Sequence, residues 1–188
     1  MTRRMSPSTQ AGGGLIRRLI RDRRGVSAVE FALIAPLMIA FYFGLTEFCQ
    51  GFMAQKRMSH SAAAVADLVA QTDVVTTDEL ADILAIGQTV MAPFQTSTLT
   101  LRVSSVTRGS DGVAKVDWSR GSSIEPLAQN AVVDVPEDVL ANGESVVMSE
   151  TTYGYSSPVK YMLPGVTNFD SKFYSRPRKV DKVGCSDC

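Results

Sequence analysis

The feature that most constrains this chain is a single apolar run with a charge set at each end. From Phe31 to Thr46 no residue is charged, and Glu30 and Glu47 bracket the run. Ahead of it stand arginines: residues 1–24 hold seven (Arg3, Arg4, Arg17, Arg18, Arg21, Arg23, Arg24) against Asp22, a net of +6. The remainder holds 12 basic and 18 acidic residues, a net of −6, so the overall balance of zero conceals a cationic arm and a mildly acidic body. Basic tails also serve nucleic-acid binders, but those are rarely followed at once by an apolar helix. Arginines directly before a hydrophobic segment hold that end on the cytoplasmic side of a membrane, which leaves the acidic body for export.

The run is short for a span. Counting instead from Val26 through Thr46 gives 21 residues, which at about 1.5 Å each reach the ~30 Å of a bilayer core. That count includes Glu30, and an acid inside a spanning helix costs roughly 2.5–3.5 kcal/mol on insertion scales. A cleavable secretory signal would offer a small-x-small site just after the apolar core. After Leu45 the chain reads T-E-F-C-Q-G-F-M-A-Q-K-R, and Ala62-Ala63-Ala64 lies far beyond.

The apolar pattern continues past the span. Met53, Met58, Ala62, Val65, Ala66, Leu68 and Val69 recur at helical spacing, with Gln55, Lys56, Arg57, Ser59 and His60 between them. One helix over about 27–71 is expected, with Pro36 inside it and Gly44 and Gly51 as weak points. Thr76 and Glu79 have the spacing of a capping box, which starts a second helix from about Asp78 to Met91. Its acids Asp78, Glu79 and Asp82 suit a helix N-terminus better than a metal. Leu80, Ile83, Leu84, Gly87 and Val90 share one side, and Pro93 closes the segment.

Thereafter the period changes to two. Leu99, Leu101 and Val103 alternate with polar residues, as do Ala114, Val116 and Trp118, and R-G-S-D-G between them predicts a β-hairpin. A third strand is expected from about Glu144 to Tyr155, after Asn142-Gly143. The stretch 119–142 reads as a long connection, and the chain beyond Pro164 as mostly irregular, with a basic tail from Arg176 to Lys182. The fold class is therefore α+β, a long helix covering the apolar face of a small antiparallel sheet.

The N-terminal pattern resembles the class-III signal of type IV prepilins: basic residues, Gly25, Val26-Ser27-Ala28-Val29, Glu30-Phe31, then the apolar stem. That resemblance implies cutting between Gly25 and Val26 by a membrane-embedded prepilin peptidase, on the cytoplasmic side. Glu30 becomes the fifth residue of the mature chain and pairs with the terminal amine of a neighbouring subunit. Such a pair offsets the desolvation of both charges only when they meet, which would set the register of one helix against the next.

The longer match R-R-G-x-S-A-V-E-F-A-L-I-A-P-L, with Glu47 and the small-rich S-A-A-A-V-A-D-L, resembles the TadE/TadG-like proteins of tight-adherence (Flp) pili. E-S-V-V-M-S-E-T-T-Y-G-Y-S-S-P before F-Y-S-R-P-R has the same flavour. Larger TadG-type members carry an inserted metal-binding adhesion domain, and this chain has neither the length nor the D-x-S-x-S motif for one. It is closer to the short TadE/TadF type. The organisation implied is a basic leader over 1–25 and a long helix over 26–71, spanning a membrane at about 26–46. A periplasmic body over 72–164 follows, then a tail over 165–188.

Little else in the chain suggests chemistry. Cys185 and Cys188 form C-x-x-C, which in a redox enzyme would open a helix of a βαβ unit. A zinc site needs two further ligands, and His60 is a poor one. In an oxidising periplasm a small disulfide is the plain expectation, with a free or intermolecular thiol as the alternative. Cys49 reads as a packing residue on the long helix. No G-x-S-x-G, H-E-x-x-H, phosphate loop or second histidine is present, and no basic–aromatic pattern marks a nucleic-acid binder. An enzyme, a cofactor and a metal are not expected. Expected partners are membrane lipid, the prepilin peptidase, other pilin-like subunits and the pilus assembly platform. The competing expectation is an uncut single-span protein whose body scaffolds a pilus or secretion complex.

Overall fold

The computed structural model describes residues 24–158, 160 and 165–188. Most of the expected leader, 1–23, lies outside the described residues. The chain forms two compact units, one up to Gly44 and one from Leu45. The class is α+β: long apolar helix and antiparallel sheet, as the sequence predicts.

Helix α1 (Arg24–Ala70) runs for 47 residues with Pro36 inside it. Up to Gly44 the described part of its unit is helix alone. From Leu45 onward α1 has one side to bury. Glu47, Gly51, Ala54, Met58, Ser61, Ala62, Val65, Ala66, Val69 and Ala70 are all buried, in steps of three and four that place them on one face. Lys56, Arg57 and His60 are exposed on the other side.

After the two-residue strand β1 (Val74–Val75), helix α2 (Thr77–Val90) begins at the expected capping box. The Glu79 N–H donates to Thr76 Oγ1 at 3.2 Å, and the Thr76 N–H donates to Glu79 Oε2 at 2.9 Å. Such a cap stabilises a helix by about 0.5–2 kcal/mol. Helix α2 buries Leu80, Leu84 and Gly87. At Gly87 a Cβ would sit 2.6 Å from Val65 Cγ2, so glycine allows the close approach of α2 to α1.

Strands β2 (Leu99–Arg108), β3 (Ala114–Ser122), β4 (Ser145–Ser156) and β5 (Val166–Ser175) form one sheet in the order β3-β2-β4-β5, every pair antiparallel. The predicted hairpin is β2–β3. The Arg108 guanidinium donates to the carbonyls of Gly112, Leu140 and Val135, tying the turn to the connection after β3.

Three expectations change. The sheet has four strands: β5 occupies a stretch read as irregular, paired with β4 along its whole length. Its residues are only half-buried or exposed, so the strand carries no clear apolar pattern; its ladder bonds hold it, with half-buried Phe169 and Tyr174 packed against the cores. Second, Val116 and Trp118 do not share a face. Ser105 pairs with Trp118 and Val106 with Val116, so β3 bulges at Asp117. Trp118 therefore joins the core under the helices, while Val116 joins a second core with Val106, Val135, Leu140, Val146 and Met148. The sheet is thus covered on both faces, the second by the 119–142 connection.

The third change concerns the basic tail, which is an ordered strap. The Arg178 N–H donates to the carbonyl of Ala70 at 2.9 Å, capping α1, and its side chain pairs with Asp67. Trp118 Nε1 donates to the buried Val183 carbonyl at 2.9 Å, and Lys182 Nζ lies 2.6 Å from Asp117. Strand β6 (Gly184–Cys185) then pairs in parallel with β1. Asp187 accepts from the Thr77 N–H and hydroxyl, both at 2.8 Å, at the first turn of α2.

Candidate functional site

Two places could carry function: the apolar start of α1, and the groups gathered on the body. On α1, Phe31 is 72% exposed, Leu33 75% and Leu37 70%, and Met38, Ile39, Phe41 and Tyr42 are also exposed. These residues point to every side of the helix. A monomer in water rarely shows so much contiguous apolar surface, so the segment belongs in lipid or among other helices. Gly25–Ala70 is long and apolar enough to cross a membrane by length and composition.

Gly25, Val26, Glu30 and Phe31 all lie in the first two turns of α1 and are exposed. A Cβ at Gly25 would meet nothing within 4 Å. Among the described residues, packing therefore does not require glycine there. Glu30 is exposed and stands at the edge of the uncharged apolar run.

On the body, Cys185 and Cys188 are joined by a disulfide across three positions. The sulfurs and an Asp187 oxygen lie within 4.8 Å of one another, but sulfurs bonded to each other offer no thiolates to a metal. Cys49 is exposed rather than packed, because α1 turns Glu47, Gly51 and Ala54 towards the body and leaves 49 on the outer side. His60 is exposed as well.

Across the sheet, Glu150 bridges Arg102 at 2.5 Å and Lys172 at 2.9 Å. Burial pushes its carboxyl up, yet the hydrogen bonds from Lys172 and Arg102 outweigh that and hold it below the ordinary value. The trio is an ion-pair network with all its members engaged. A cleft of about 700 Å³ is lined by Gln50, Met53, Phe94, Tyr153, Tyr155 and Lys160 among others. Its described lining has no histidine, cysteine or carboxylate, and its titratable groups are Tyr153, Tyr155 and Lys160. Burial raises the hydroxyls of Tyr153 and Tyr155 above their usual value, away from a role as bases near neutrality.

Sequence reasoning missed the burial of Glu47, which is fully enclosed, and the Asp187 contact with α2. Glu47 had a signal of its own: Gly51, Ala54 and Met58 follow it at helical spacing on the buried face.

No curated protein and no solved structure matches the chain. The family model for TadE-like protein matches residues 25–67, which covers nearly all of α1 and begins at Gly25. That agrees with the resemblance carried by Gly25, Glu30 and the apolar stem: residues 25–67 are similar to the TadE-like family.

Proposed function

We propose that the protein is a membrane-anchored minor pseudopilin that acts in assembly of a tight-adherence pilus. A TadE-like match implies association with such pili, and the observation that supports the finer role is the all-round exposed apolar face of α1 with Glu30 at its start. In this reading a prepilin peptidase cuts between Gly25 and Val26. Helix α1 then holds the subunit in the inner membrane, with the body in the periplasm. Phe31, Leu33, Ile34, Leu37, Met38, Phe41 and Phe43 supply the apolar contact with neighbouring pilin-like helices. Glu30 meets the free amine of a neighbour, a strong attraction in a low-dielectric bundle. The subunit needs no cofactor, and nothing in the reading calls for catalysis.

The test is the intact mass and N-terminal sequence of the protein from native membranes. A chain starting at Val26 supports the pseudopilin. A chain that keeps residues before Gly25 refutes the cut, and an uncut anchored scaffold becomes the better account.

A further inference from the structure

Beyond Thr46, α1 has two unlike sides. One packs into the body through Glu47, Gly51, Ala54 and Met58. The other stays apolar and exposed for two more turns: Leu45 is 51% exposed, Phe48 65%, Phe52 50% and Met53 50%, with exposed Cys49 among them. The first exposed charges after Glu30 are Lys56 and Arg57. Glu47 breaks the apolar run in the sequence but not on the surface, because it is fully buried.

We propose that the water–hydrocarbon boundary lies between Met53 and Lys56, and that this end of the body rests against the lipid surface. The lipid-facing run is then 31–53, whose 23 residues reach about 34 Å at ~1.5 Å each and match a core of ~30 Å with modest tilt. Glu30 falls outside the hydrocarbon at the other boundary, so the unassembled subunit does not bury that charge.

The surroundings fit a bilayer interface. Lys56 Nζ lies 5.4 Å from the centre of the Phe52 ring, and its long stem can carry the ammonium to headgroup level. Aromatic rings concentrate at this depth, and here the stripe runs through Met53 into the cleft lined by Pro93, Phe94 and Tyr155. Lys160 lines the same cleft, adding a cation at the level where anionic headgroups lie. Continuity with the apolar run and cations at its limit argue for lipid as the occupant.

This inference rests on the reading of α1 as a membrane anchor, and its test separates the two. The full chain is placed in phosphatidylcholine–phosphatidylglycerol vesicles with a nitroxide on native Cys49. In a Cys49→Ser background the label is carried instead by Leu37→Cys, Phe52→Cys or His60→Cys. Collision with oxygen reports hydrocarbon, and collision with a water-soluble nickel chelate reports solvent. Expected is loss of nickel collision, with strong oxygen collision, at Leu37→Cys, Cys49 and Phe52→Cys, and the reverse at His60→Cys. Nickel collision at Cys49 and Phe52→Cys with Leu37→Cys still protected overturns the boundary and leaves the anchor standing. Nickel collision at Leu37→Cys overturns the anchor itself. Protection of Cys49 from both reagents, with spin–spin broadening, means a second copy covers the stripe and overturns the lipid assignment. Oxygen collision at His60→Cys also overturns it, since the boundary then lies farther along α1.

Discussion

Replacing Gly87 by alanine tests how α2 is seated on α1. The added Cβ would stand 2.6 Å from Val65 Cγ2, 3.1 Å from Leu101 Cδ1 and 3.2 Å from Ser61 Oγ. Carbon atoms in contact prefer about 3.5–4.0 Å, so roughly an ångström must be found at Val65. Val65 is fully buried and, being β-branched in a helix, has essentially one rotamer, so the backbones must part. Overpacking of this kind costs about 1–3 kcal/mol. Alanine recovers about 0.8–1.0 kcal/mol through helix propensity. Parting the helices also stretches the 2.6 Å bond that Ser61 Oγ donates to the Gly87 carbonyl, and a typical hydrogen bond contributes about 1 kcal/mol. The expected net is a loss of about 1–2 kcal/mol. Urea unfolding of the full chain in detergent, followed by the fluorescence of Trp118, the one tryptophan, reads this as a lower midpoint at unchanged slope. Val65→Ala removes the nearest atom, so Gly87→Ala should cost less in that background, a coupling above about 0.5 kcal/mol. Gly87→Ala that stabilises by its propensity alone, or a cycle with no coupling, refutes the close approach.

Three other outcomes follow from the contacts described. Cys188→Ser should lower stability by about 2 kcal/mol, the chain-entropy value for a four-residue loop, with the loss measured by urea unfolding and abolished when wild type is reduced. Glu150 has its folded pKa held below the ordinary 4.5, so it stabilises the fold above that value and loses the contribution as pH falls through the folded pKa. Thermal unfolding below about pH 4.5 should therefore decline less steeply in Glu150→Gln than in wild type. Glu30→Gln should leave cutting and membrane insertion intact while reducing pilus number by electron microscopy, and normal numbers would remove the pairing argument.

What the sequence disclosed was local. The Thr76–Glu79 box, the alternation before and after R-G-S-D-G, and the three-and-four spacing from Met58 to Val69 each declare an element from neighbouring residues. What it concealed depends on residues far apart. Strand β5 has only scattered apolar residues, Asn168, Asp170 and Lys172 alternating with Thr167, Phe169 and Ser171, so its pairing with β4 is not announced by its own pattern. The bulge at Asp117 moves Val116 to the other face without any change in the alternation of residue types. For the candidate site, Gly25 and Glu30 were legible as a pattern. Glu47 was legible only through Gly51, Ala54 and Met58, which follow it on one helical face; read by itself, a glutamate after an apolar run marks its end.

The Thr77 contact with Asp187 joins positions 110 residues apart. Val183, whose carbonyl receives the Trp118 indole N–H and whose side chain is fully buried, arrives almost as late. A ribosome adding 5–20 residues per second needs roughly 5–20 s to travel from one partner of the Thr77–Asp187 pair to the other. During that interval the Ala70 carbonyl and the core edge around Val75 wait for residues not yet made. The contacts that tie the strap to α1, α2 and Trp118 therefore form late relative to the elements that they join.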